Sequence, residues 1–132
     1  MRSARNDIRQ TGVTMIELMI VVAIISILGM VAIPLYQNHV TDTRRSAATT
    51  CLAELAQWME RYYAAGFSYE NAALPDKQCI EDIEDFYTVT LASDAMSYTI
   101  RATAIDGQLA NDGACTPLQL DQMNAKTPAA CW

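Results

Sequence analysis

A single histidine, His39, stands among 132 residues, and no Cys-x-x-Cys pair occurs. That argues against a His-dependent catalytic triad and leaves few ligands for zinc, which takes cysteine and histidine at close spacing. There is no Gly-rich phosphate loop and no nucleophile motif. Five glycines and four prolines exclude collagen-like and low-complexity chains. Positive charge is also scarce, with 9 Lys+Arg against 15 Asp+Glu and a net charge of -6. A chain of that balance is a poor general ligand for nucleic acid, which needs cations facing phosphates. The expectation is therefore no enzyme, no cofactor, no metal and no small-molecule substrate. The length suits one domain, or one small domain with an appendage.

What the chain has in excess is hydrophobicity, 52% of residues, and the excess sits in one place. From Leu18 to Tyr36 it reads LMIVVAIISILGMVAIPLY, without a charge. As a helix at about 1.5 Å per residue this run spans about 28 Å, one hydrocarbon core. Arg2, Arg5 and Arg9 against Asp7 make the preceding flank basic, which places the N-terminus in the cytoplasm and the rest beyond the membrane. A cleaved secretory signal is the simpler alternative. The run is long for one, and Met30-Val31-Ala32-Ile33-Pro34 offers no small-x-small cleavage site. A plain signal anchor leaves Glu17 unexplained, since a carboxylate at the edge of an apolar segment is costly to bury and usually marks a partner.

Residues Gly12 to Tyr36, GVTMIELMIVVAIISILGMVAIPLY, resemble the class III signal and N-terminal helix of type IV pilins. In that pattern a short basic leader ends in Gly, the apolar helix follows, and a Glu stands four residues after the new N-terminus. Gly12, Val13 and Glu17 occupy those positions, and Pro34 and Tyr36 match the family's helix proline and following tyrosine. Two departures are Val13, where Phe or Met is usual, and Ser26, where many members have Gly. The resemblance implies a leader over 1–12 cut by a prepilin peptidase, a membrane and filament-core half-helix over 13–36, and a periplasmic head over 37–132. It implies that Glu17 meets the N-terminal amine of a neighbouring subunit. It implies as partners the inner membrane, its pilus assembly platform, and other major and minor pilins. The location would be the bacterial inner membrane first and the cell-surface pilus afterwards.

The remaining residues are read from their own pattern. Ala48, Leu52, Leu55, Met59 and Tyr62 recur at helical spacing, flanked by Cys51, Trp58 and Tyr63. This predicts that one helix continues to about Ala64, stops at Gly66, and packs this face on a sheet. Residues 66–85 read as a loop with a helical turn near Ile80–Ile83 and with Phe67 and Tyr69 as exposed aromatics, more loop anchor than subunit contact. Glu81, Asp82, Glu84 and Asp85 lack metal-loop spacing and read as a solvated face. Strand-like runs follow at 86–91, 97–104 and 117–122. Between them stand turn signals at Ser93-Asp94, Asp106-Gly107 and Asn111-Asp112-Gly113. The expected fold is α+β, the type IV pilin fold: one long N-terminal helix on an antiparallel sheet of three to four strands.

A head this small needs staples. Cys51, Cys79, Cys115 and Cys131 all follow the apolar run and reach an oxidising compartment, and four cysteines allow three pairings. Cys115–Cys131 resembles the disulfide-bounded C-terminal region of type IV pilins, and the ending resembles that of minor pilins of the PilE group. Such a loop contributes about 3 kcal/mol in the chain-entropy model. Cys51–Cys79 would then tie the loop to the helix. The function expected is a pilus subunit, minor rather than major, serving pilus assembly, twitching motility, attachment or DNA uptake. The alternatives are a pseudopilin of a type II secretion system and a DNA-binding competence pilin. DNA is not favoured, because beyond the leader the charge is -8 and Arg44, Arg45, Arg61, Lys77, Arg101 and Lys126 are scattered.

Overall fold

The computed structural model describes residues 12–132. Most of the expected leader, residues 1–11, lies outside them. The elements are α1 (Met15–Gly66), α2 (Gln78–Ile83), β1 (Tyr87–Ser93), β2 (Tyr98–Ala104), α3 (Asp106–Asp112), β3 (Leu118–Asp121) and β4 (Lys126–Thr127). Two compact units meet in sequence between Tyr36 and Gln37, and α1 contributes to both.

In the first unit, Thr14 caps the helix. Its Oγ1 accepts the Glu17 backbone N–H at 3.3 Å, satisfying one of the donors that a helix N-terminus leaves without an internal partner. Thr14-Met15-Ile16-Glu17 is the sequence form of a capping box. Ser26 donates its hydroxyl to the Val22 carbonyl at 2.7 Å, so this hydroxyl within the apolar run is satisfied locally. Pro34 lies inside α1. It cannot donate to Met30, and α1 nevertheless continues through it. The large apolar side chains along Val13–Tyr36 are exposed. This is the one helix among the described residues with the length and composition to cross a membrane.

In the second unit the sheet order is β1-β2-β3-β4, antiparallel throughout. The period of two in β2 sends Tyr98, Ile100, Ala102 and Ala104 inward and exposes Arg101 and Thr103. Ala48, Cys51, Leu52, Leu55 and Met59 of α1 close the core from the other side, joined by Tyr69, Ile83, Tyr87, Leu118 and Leu120. Cys51 pairs with Cys79 and Cys115 with Cys131, at Cα separations of 5.4 and 5.6 Å. These are the expected pairs. One bridge fastens α2 to α1, and the other fastens the C-terminal segment beyond β4 to the start of β3.

α1 ends at Gly66, as expected; the left-handed residue after it is Phe67 (φ 55°), whose N–H reaches the Tyr63 carbonyl at 2.6 Å, a one-bond helix cap. Three local details differ from the sequence reading. Of the two loop aromatics, Phe67 is 78% exposed but Tyr69 is buried and anchors the loop. Residues 106–112, whose Asp, Gly and Asn signalled turns, form α3. Those residue types are weak helix formers, so α3 depends on tertiary bonds described below. The short edge strand β4 carries no periodic signal that a sequence could show.

Candidate assembly and recognition site

Glu17 sits in the first turn of α1, where the helix dipole favours a negative charge. Thr14 has already satisfied the Glu17 backbone N–H. Among the described residues the Glu17 carboxylate itself accepts no hydrogen bond and enters no ion pair. Gly12 and Val13 precede the helix and are exposed. The chain therefore presents, in order, an accessible Gly–Val bond, a capped helix start, an unpaired carboxylate and an uncovered apolar surface. Such a surface is stable only against lipid or other apolar helices.

The head is held by two polar clusters that sequence reasoning missed. In the first, the Asp112 carboxylate accepts from Arg45 Nε at 2.9 Å, Gln108 Nε2 at 3.1 Å and the Tyr87 hydroxyl at 3.4 Å. Gln108 Nε2 also lies 3.2 Å from the Thr41 carbonyl. Asp112, Gln108 and Tyr87 are all buried. These bonds join α3 to α1 and explain why weak helix formers stay helical there. Burial pushes the Tyr87 phenol up to about 12, with the Asp112 charge adding to the rise and the Gln108 hydrogen bond opposing it. In the second cluster, Tyr69 and Tyr98 both donate to Glu60 Oε1 at 3.2 Å. Burial and then the Glu60 charge raise the Tyr98 pKa, and burial and the Glu60 hydrogen bond raise that of Tyr69. Both phenols thus stay donors.

The outward face of the sheet has a different character. One row crosses all four strands in register, Thr90, Arg101, Gln119 and Thr127, with Arg101 Nε donating to Gln119 Oε1 at 3.3 Å. Thr88, Thr99 and Thr103 share this face. The carboxylate on it, Asp121, is engaged by the backbone N–H groups of Met123 and Ala125 at 2.9 and 2.8 Å. At the edge, the Lys126 ammonium lies 5.2 Å from the centre of the Trp132 ring. The acids concentrate elsewhere: Glu81, Asp82, Glu84 and Asp85 are exposed on and after α2. No three His, Cys, Asp or Glu side chains among the described residues converge to hold a metal ion.

Two family models match the chain. One, described as the prokaryotic N-terminal methylation motif, covers residues 8–33. The other covers residues 34–119 and is described as type IV minor pilin ComP, DNA uptake sequence receptor. The chain belongs to this family of type IV minor pilins. Among curated proteins the pilin is 36% identical to fimbrial protein Q of Moraxella bovis, over 81% of its own length and 66% of that relative. It is 30% identical to the type IV major pilin protein PilE1 of Neisseria gonorrhoeae, over 77% and 49%. The matched segment thus spans less than two thirds of these relatives. The solved structure of the non-core minor pilin PilV of Neisseria meningitidis aligns with a TM-score of 0.51 at 24% identity. It covers 67% of this pilin and 85% of that chain. That likeness concerns the fold: a long N-terminal helix packed on a four-stranded antiparallel sheet.

Proposed function

We propose that this pilin is a pilus subunit, cut between Gly12 and Val13 by a prepilin peptidase and built into a filament through the apolar helix from Val13 to Tyr36. The observation that carries this reading is the uncovered apolar helix surface beginning at Glu17, whose carboxylate has no partner among the described residues. Before assembly the helix rests in the inner membrane with the head on the periplasmic side. At the assembly platform it exchanges lipid for the helices of other pilins. The fimbrial relatives favour a pilus over the pseudopilus of a secretion system. The test is Gly12→Trp. Cleavage is expected to fail, leaving a band heavier by the leader on gels and no pilin in sheared filaments. A mature-sized band from that variant would refute the processing site.

A second reading concerns the head. The family description names a DNA uptake sequence receptor, and the outward sheet face supplies features that suit a phosphate backbone. It carries Arg101 among hydroxyl and amide groups. The net charge of -8 is an average over the mature chain, and screening within about 10 Å at 0.1 M salt lets a local face act on its own. DNA binding through this face is expected to shift duplex DNA on gels. Arg101→Ala should weaken it at least about tenfold and flatten its salt dependence by up to about one counterion. An unaltered shift in that variant would assign binding to another face.

A further inference from the structure

A separate recognition feature lies where α1 ends. An open cavity of about 430 Å³ is lined by Tyr62, Ala65, Gly66, Ser68, Glu70 and Asn71, within the size range of small-ligand sites. Its aromatic wall is rigid. Trp58 backs Tyr62 with ring centres 5.5 Å apart, and the Tyr62 hydroxyl donates to the Glu70 carbonyl at 3.2 Å, which fixes the ring against the loop. The Ser68 hydroxyl accepts the Glu70 N–H at 3.1 Å and keeps its own proton to donate. Among the described residues the Glu70 carboxylate and Asn71 amide make no side-chain hydrogen bond. Beside them Phe67 is held in the left-handed region, unusual for a bulky residue, and displays its ring to solvent at 78% exposure. Its conformation caps α1, and its ring meets that of Tyr63 edge-on with centres 6.3 Å apart.

We propose that this cavity binds a neutral sugar unit of a glycan. An anion is disfavoured, because no cationic side chain lines the cavity and Glu70 would repel it. A pyranose presents an apolar C–H face, which suits the Tyr62 ring. Its vicinal hydroxyls are each donor and acceptor. They need a mixture of donors and acceptors, and the Glu70 carboxylate, Asn71 amide and Ser68 hydroxyl supply both kinds. A cation would use the carboxylate but gain nothing from the donors of Asn71 and Ser68.

The experiment is saturation-transfer NMR on the full mature chain in detergent micelles. The probes are methyl glycosides of galactose, glucose, mannose and N-acetylglucosamine, with methylguanidinium as the cationic competitor. At least one glycoside is expected to receive saturation on its C–H face. Glu70→Ala and Tyr62→Ala should each lose at least tenfold in affinity, with both disulfides confirmed by mass. Glu70→Gln and Tyr62→Phe keep a planar acceptor and the aromatic face, and should stay within about threefold of the parent. Three results would overturn the proposal: no transfer to any glycoside, Glu70→Gln as weak as Glu70→Ala, or displacement by methylguanidinium. Incorporation of Glu70→Ala into filaments is expected to be unchanged, so this proposal and the assembly reading fail separately.

Discussion

Glu17→Ala is expected to leave the pilin in the membrane, processed and helical, while its incorporation into filaments falls by tenfold or more. The helix itself has little to lose. Thr14, not the Glu17 side chain, satisfies the first-turn N–H. The carboxylate contributes only its interaction with the helix dipole, about 0.3–1 kcal/mol. The assembled state has much more to lose. Cleavage before Val13 creates an amine at the start of an apolar helix, and on the proposed reading the Glu17 of a neighbouring subunit pairs with it. Removing one partner strands the other charge in apolar surroundings, which costs about 3–5 kcal/mol, and each 1.4 kcal/mol is a factor of ten. Quantitative blotting of sheared filaments against membranes measures the ratio. Equal incorporation of parent and variant would remove the pairing from the mechanism.

Asp112→Ala is expected to be the most damaging single substitution in the head that leaves the apolar core and disulfides intact. Its carboxylate is the common acceptor for Arg45, Gln108 and Tyr87. Truncation leaves a guanidinium and two buried neutral groups without that acceptor and unties α3 from α1. Arg45 is partly exposed and keeps Asp42 at 2.6 Å, so the main loss is the acceptor of the buried Gln108 and Tyr87 groups, about 1–3 kcal/mol, out of a total stability of about 5–15 kcal/mol. For a domain of this size the midpoint of thermal unfolding should fall by roughly 4 °C or more. Asp85→Ala is the control, because Asp85 is exposed and should change stability by less than about 0.5 kcal/mol. Thermal scans of both variants in detergent, disulfides intact, compare them. Equal midpoints would show that hydrophobic packing alone holds α3.

The parts of this pilin legible in the sequence were those set by long periodic or covalent signals. The uncharged run from Leu18 to Tyr36, the repeat from Ala48 to Met59, and the alternation in β2 all survive because many residues carry the same message. The pieces that escaped depend on a few residues whose partners are distant in sequence. Residues 106–112 have the composition of a turn, and they are helical because Thr41 and Arg45, more than 60 positions earlier, accept and complete their bonds. Tyr69 lies in a loop and is buried because Glu60 and the Tyr98 ring, 4.9 Å away, wait for it.

The sequence alone determined the division of the chain: a basic N-terminal flank, an apolar helix with Glu17 near its start, and an acidic remainder with cysteines for two bridges. Those features follow from composition and spacing along the chain, which survive any folding. Tertiary structure decided where charge and aromatic surface appear. The net charge could not show that Arg101 stands in a row of hydroxyls and amides, apart from the run of acids on and after α2. Nor could the spacing of Tyr62 and Glu70 reveal a shared cavity. Faces are made by strand register and by the turn that Phe67 takes, and both are fixed only when distant segments pack together.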